Sequence, residues 1–207
     1  MGATKARPRL TLRQSGRGDQ VFGAGVALVS VLLAVHGSSA AADAPATKTQ
    51  LCASCHGRDG VPSDHTVPII WGQQAGYLRK QLNDYKNGDR DSQSMSSIAE
   101  SLSDRDVSQI AAQFGSAKWP APSPARLPAA PAAVATCQAC HHAGFTGGIS
   151  PSGEAPRLAG QFSAYLIDTM NAYADGERVN SSAMSALMQT LSPADRTKIA
   201  DYLAVLR

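Results

Sequence analysis

The chain has 207 residues, with 19 basic and 16 acidic side chains and a formal net charge of +3. That surplus sits in the first 20 residues, where Lys5, Arg7, Arg9, Arg13 and Arg17 face one acid, Asp19; residues 43–207 carry 14 basic against 15 acidic groups. The composition therefore excludes a basic nucleic-acid-binding surface or a cationic patch for anionic membranes.

In chain order, residues 1–42 read as a secretory signal peptide. A basic start leads into the apolar stretch Val21–Val35 and then the small-residue run Ser38–Ala42. The stretch falls short of the roughly 20 residues needed to cross a bilayer. Cleavage is placed after Ala42 or Ala40, and the expected compartment is the periplasm. An uncleaved anchor, with loose membrane association, is the alternative.

The next segment, 43–118, opens with Cys52-Ala-Ser-Cys55-His56, and the last, 134–207, opens with Cys137-Gln-Ala-Cys140-His141. Cys-x-x-Cys-His is the attachment pattern of a c-type haem. On a helix, thiols three residues apart each reach one vinyl group of the same porphyrin and form a thioether. The following histidine then lies beneath the iron. Two covalently bound haem c groups are expected. A zinc site made from two Cys-x-x-Cys pairs usually separates them by about 12–20 residues, whereas 81 residues lie between Cys55 and Cys137. A thioredoxin-like pair wants a βαβ context that the flanks lack. Two disulfides would suit an oxidising compartment but would not require a histidine after each pair.

The two segments repeat each other. Pro68, Gly72, Gln73, Tyr77, Leu78, Tyr85, Gly88 and Arg90 recur as Pro156, Gly160, Gln161, Tyr165, Leu166, Tyr173, Gly176 and Arg178, an offset of 88. Met95, Leu102, Ser103, Asp106, Ile110 and Ala111 recur as Met184, Leu191, Ser192, Asp195, Ile199 and Ala200, an offset of 89. Between the repeats, residues 119–133 form a Pro/Ala-rich linker, extended and semi-rigid. Tyr77, Leu78, Leu82 and Tyr85 recur at helical spacing and stop at Asn87-Gly88. Ser103 with Asp106, and Ser192 with Asp195, read as N-caps of a final amphipathic helix. Its apolar face is Val107, Ile110, Ala111 and Phe114 in one half and Ile199, Tyr202, Leu203 and Leu206 in the other. No sustained period-two strand pattern occurs. The expected fold is all-α: two tandem cytochrome c-like helical haem domains related by duplication.

Each iron needs a ligand opposite its histidine, and methionine is the soft donor that cytochromes c use there. Met95 and Met184 occupy equivalent repeat positions, 39 and 43 residues after His56 and His141. Met170 and Met188 have no methionine partner in the other half and read as core. His65, also without a counterpart, and His142, beside the proximal ligand, read as surface histidines. Each proximal ring needs its second nitrogen held, and the carbonyls of Pro68 and Pro156 are placed for that. Gln73 and Gln161, or Arg90 and Arg178, are candidates for the haem propionates. Paired methionines leave no open iron site, which argues against a peroxidase.

With those motifs in hand, the chain resembles the dihaem cytochrome c4 family over nearly all of residues 43–207. The resemblance implies two domains packed about a pseudo-twofold axis, with His56 and Met95 on one iron and His141 and Met184 on the other. It also implies electron transfer, without bond chemistry, between a quinol-oxidising respiratory complex and a terminal oxidase. The alternative is the electron-accepting subunit of a periplasmic dehydrogenase. The first half departs from the family in Ile69-Ile70-Trp71, and His142 stands where a glycine often follows the motif. A compact pair with propionate edges facing across the interface is expected, rather than two domains spaced by the linker.

Overall fold

The structure, a computed structural model, describes residues 44–120, 127–150 and 153–207, with side chains from residue 48 onward. The expected signal peptide and the middle of the expected linker lie outside the described residues. No helix among the described residues is long and apolar enough to cross a membrane.

The first half has four helices: α1 (Ala44–His56), α2 (Ala75–Asn87), α3 (Gln93–Glu100) and α4 (Asp104–Gly115). The second has a 3₁₀ segment (Ala132–Cys137) running into the single turn α5 (Gln138–His141), then α6 (Ser163–Asp175), α7 (Ser182–Gln189) and α8 (Pro193–Ala204). The shared sequence patterns act at helix ends. Gly88 and Gly176 terminate α2 and α6 in the left-handed conformation, φ 81° and 77°, which glycine adopts without a Cβ penalty. Ser103 and Asp106 form a reciprocal capping box on α4, and the Ser192 hydroxyl accepts the Asp195 backbone N–H on α8.

On α4 the residues Val107, Ile110, Ala111 and Phe114 are all buried. Val107, Ile110 and Phe114 pack with Leu102, Leu78, Leu82, Ile70, Trp71 and Cys52, and Trp71 meets Phe114 edge-on at 4.5 Å. The second core is larger, joining Val134, Phe145, Leu166, Met170, Tyr173, Met188, Ile199 and Leu203. Tyr202 is only half-buried, and Leu206 is buried beyond the end of α8. Met170 and Met188 are core residues, as read from the sequence.

One element departs from the all-helical expectation. Gly148–Ser150 (β1) and Gly153–Ala155 (β2) pair antiparallel, with Ile149 opposite Glu154. In the second half the proline follows its histidine by 15 positions, where in the first it follows by 12. The extra residues close on themselves as this hairpin, too short for alternation to reveal. His142 feeds it with φ 63°, a region that costs a non-glycine residue on the order of 1–3 kcal/mol. Its Nε2 lies 2.7 Å from the Ile149 carbonyl, a bond that helps hold the conformation.

The two halves form one compact unit and meet through paired hydrogen bonds related by the repeat. Gln161 Oε1 accepts Ile69 N–H at 3.0 Å and its Nε2 donates to the Ile69 carbonyl at 3.0 Å. In return, Gln73 accepts Arg157 N–H at 2.7 Å and donates to its carbonyl at 3.0 Å. Ile69 and Arg157 are repeat equivalents, as are the two glutamines. Residue i meeting j′ while i′ meets j is the signature of a twofold interface. Trp119, at the start of the expected linker, lies under the Arg157 guanidinium, 4.9 Å from its ring.

Candidate functional site

The two Cys-x-x-Cys-His strings lie in equivalent places, at the end of α1 and across the turn into α5. None of the four cysteines pairs in a disulfide. Burial pushes the Cys52 and Cys137 thiols up in pKa, so they stay uncharged. Among the described residues no three His, Cys, Asp or Glu side chains converge as a metal site; the two pairs do not assemble into one four-cysteine centre.

His56 and His141 are both buried. His56 Nδ1 is 2.8 Å from the Pro68 carbonyl and His141 Nδ1 is 2.8 Å from that of Pro156. A carbonyl can only accept, so Nδ1 carries the proton and Nε2 keeps its lone pair. Burial, working against the hydrogen bond to the proline carbonyl, lowers both histidine pKa values. Each ring is therefore held neutral and oriented, the form that ligates a metal.

The Pro-x-x-x-Gly-Gln string acquires a physical reading at this point. Its proline carbonyl orients the histidine. Its glycine, Gly72 or Gly160, sits at φ 70° or 77° and donates its N–H to the end of the last helix, to Phe114 or Leu203. A Cβ at Gly72 would lie 2.7 Å from Trp119 N and 2.9 Å from Ala117 O. Its glutamine reaches the other half. Gln73 and Gln161 are thus engaged on peptide groups, which corrects their reading as propionate ligands. An amide matches one peptide N–H and C=O in a way that would leave a carboxylate only half served.

Arg90 and Arg178 behave differently. Each guanidinium crosses to the tyrosine of the other half, Arg90 to Tyr165 and Arg178 to Tyr77, both at 3.3 Å. Each also lies over a tyrosine of its own half, Tyr85 or Tyr173, and both donate to Gln81 Oε1 at 2.7 Å. Burial opposes ionisation of Tyr165, but the Arg90 and Arg178 charges outweigh it and lower its pKa. Asp84 is the one carboxylate in this cluster, and Lys80 already pairs with it at 2.5 Å. The buried Arg178 and half-buried Arg90 guanidiniums, facing phenols and an amide, are short of anions, an environment suited to haem carboxylates.

Met95 and Met184 are half-buried at the third position of α3 and α7. Ser92 and Ser181 cap those helices by accepting the N–H of these two methionines, each at 3.4 Å, so the cap fixes the turn that carries the sulfur. His65 is exposed, with its ring stacked on Phe162 at 4.0 Å, and His142 is tied to the hairpin. Sequence reasoning missed Asp84, Gln81 and Asn180. The signal for the last is the step in repeat offset from 88 to 89 between Arg178 and Met184.

Helices carrying the haem-attachment string, a proline-held histidine and a capped methionine turn, twice over, define a c-type cytochrome of the class I fold. The Cytochrome c family matches residues 129–207. Cytochrome c4 of Pseudomonas aeruginosa is 33% identical over 85% of this chain and 96% of its own length. The thiosulfate dehydrogenase electron acceptor of Stutzerimonas stutzeri is 31% identical over 74% and 77%. The solved cytochrome c4 of Acidithiobacillus ferrooxidans superposes with a TM-score of 0.63 at 27% identity, covering 76% of this chain and 99% of that one. The chain belongs to the cytochrome c4 family, and as a covalent haem c protein it is an electron carrier rather than an enzyme.

Proposed function

We propose that the protein is a periplasmic dihaem cytochrome, secreted by residues 1–42, that relays electrons from one half to the other. Bound haem c supplies a one-electron iron couple; everything else is done by the chain. Cys52 and Cys55 hold one group and Cys137 and Cys140 the other. His56 and His141 give Nε2 to the irons while Pro68 and Pro156 fix the rings. Met95 and Met184 would supply the sulfur ligands. Arg90 and Arg178 receive propionates at the boundary between halves.

The observation that carries this reading is the pair of equal 2.8 Å contacts from histidine to proline carbonyl, one after each attachment string. The experiment is a pyridine haemochrome assay with intact mass on the secreted protein. Two haems per chain, each bound through two thioethers, are expected; one haem, or a mass lacking both, would end it.

Electrons are proposed to arrive from a quinol-oxidising complex and leave to a terminal oxidase. A second reading makes the protein the acceptor of a periplasmic dehydrogenase, favoured by the likeness to a thiosulfate dehydrogenase electron acceptor over most of both chains. Stopped-flow reduction separates the two. If thiosulfate and its dehydrogenase reduce the holoprotein much faster than a quinol-oxidising complex does, the second reading holds.

A further inference from the structure

The interface is symmetric in its crossing glutamine and Arg–Tyr contacts, and among its asymmetric contacts one reaches the turn before a methionine. On α2 the first half carries Lys80, Gln81 and Asp84. At the offset of 88 the second half carries Asp168, Thr169 and Ala172 on α6, which cannot repeat their contacts. The partner of the odd triplet is Asn180, which lies in the stretch where the repeat offset gains a residue.

Asn180 is fully engaged. Its Oδ1 accepts Tyr173 OH at 2.9 Å and Arg178 Nε at 3.0 Å within its own half. Its Nδ2 donates across the boundary to Asp84 Oδ2 at 2.6 Å and Gln81 Oε1 at 3.1 Å. Lys80 Nζ holds the Asn180 carbonyl at 3.1 Å while pairing with Asp84. The next residue, Ser181, caps α7 by accepting the Met184 N–H. The equivalent turn before Met95 is capped by Ser92, and the repeat counterpart of Asp84 on α6 is Ala172, which offers no carboxylate.

We infer that Asp84, with Lys80 and Asn180, is a latch by which the first half positions the methionine turn of the second. Met184 ligation is then held by the first half, whereas Met95 ligation is local. Asp84 is a positioning residue: it touches no ligand atom and acts through Asn180 and Ser181. The inference rests on the proposed ligation by Met184.

The test is displacement of methionine by imidazole in oxidised holoprotein, followed by loss of the sulfur-to-iron absorption band. Met95→Ala leaves one band from the second iron, and Met184→Ala leaves one from the first. In the Met95→Ala background, Asp84→Ala should speed displacement roughly tenfold, the scale set by losing a buried charge-assisted bond. Asp84→Asn, whose amide oxygen still accepts from Asn180, should recover part of that. In the Met184→Ala background Asp84→Ala should change nothing. No acceleration in the first background, or equal acceleration in both, overturns the latch. If Asp84→Ala fails to fold, Asn180→Ala takes its place in both backgrounds, where acceleration confined to the first supports the latch and any other pattern overturns it. If Met184→Ala leaves the wild-type band whole, the ligation reading has failed instead, and that outcome is read before any rate.

Discussion

Gln161→Ala tests whether the reciprocal glutamine pairs hold the halves together. Gln161 and Ile69 are each 2% exposed, so water cannot easily replace what the amide supplies. The substitution removes an acceptor for Ile69 N–H at 3.0 Å, a donor to the Ile69 carbonyl at 3.0 Å and an acceptor for Phe162 N–H at 3.1 Å. A buried peptide group left unpaired costs about 1–3 kcal/mol. Two such groups on Ile69 come to about 3 kcal/mol after some relaxation, or about a hundredfold in a local opening equilibrium.

Native-state hydrogen exchange on the holoprotein reads this directly at the Ile69 amide, which should exchange about a hundredfold faster. Gln73→Ala is the control for burial. It breaks the matching pair of bonds to Arg157, but Arg157 is half-exposed, water reaches its peptide, and about tenfold is expected. Gln161→Glu keeps the acceptor for Ile69 N–H and places a carboxylate oxygen against the Ile69 carbonyl; it should do at least as much damage as alanine. Equal effects of Gln161→Ala and Gln73→Ala, or an unmoved Ile69 amide, would refute the reasoning.

Met95→Ala and Met184→Ala should each remove about half of the sulfur-to-iron band of the oxidised protein; loss on Met188→Ala instead would mean that the repeat alignment misassigns the ligand. Phe114→Ala should cost about 3–5 kcal/mol of stability in denaturant unfolding, because this fully buried ring closes the smaller core against Trp71. His142→Ala keeps the φ strain and loses the bond to Ile149, whereas His142→Gly loses the bond and relieves the strain, so melting temperatures should fall in the order His142 about equal to glycine, then alanine. The Asp106 carboxyl is held below its usual range, first by Lys48 and then by Ser103. An acid lowered in the folded state contributes stability that is present above about pH 4 and lost as pH falls below it. Asp106→Asn should therefore lower stability at neutral pH and flatten the acid limb of the stability–pH curve, the two proteins converging as pH falls below about 4.

The parts of the fold legible in the sequence are those where one residue type has one physical reason. Gly88 and Gly176 end helices because only a residue without a Cβ adopts that conformation freely. Ser103 with Asp106 starts one because the two side chains satisfy each other's orphan N–H. The candidate site was readable for a related reason. Cys-x-x-Cys-His carries its chemistry in consecutive positions, and the proline carbonyls that orient the rings follow at a repeated place. What could not be read is what depends on a second surface. An interfacial glutamine looks like any polar residue until the peptide it matches is known, which is why Gln73 and Gln161 passed for propionate ligands. The hairpin left only a spacing of 15 against 12, and a length difference carries no shape.

A duplicated domain packed on its twin by matched contacts would leave both iron sites in equal surroundings, with nothing in the protein to give an electron a preferred direction. Symmetric contacts, such as the paired glutamines and the Arg–Tyr crossings, can join the halves but cannot tell them apart. The distinctions lie where the repeat is broken: His142 and the hairpin beside the second histidine, and Asp84 with Asn180 beside the second methionine turn. Both breaks fall on the second half's ligand-bearing segments, while the first half keeps the glycine, Gly57, and the shorter loop. Fusing two copies into one chain is what lets such changes accumulate on one side only. In a homodimer every substitution would appear at both sites. Asp84 and Asn180 each make bonds within their own half, but the bond between them exists only across the boundary, so this asymmetry is a property of the interface, whereas that of His142 and the hairpin belongs to the second half alone.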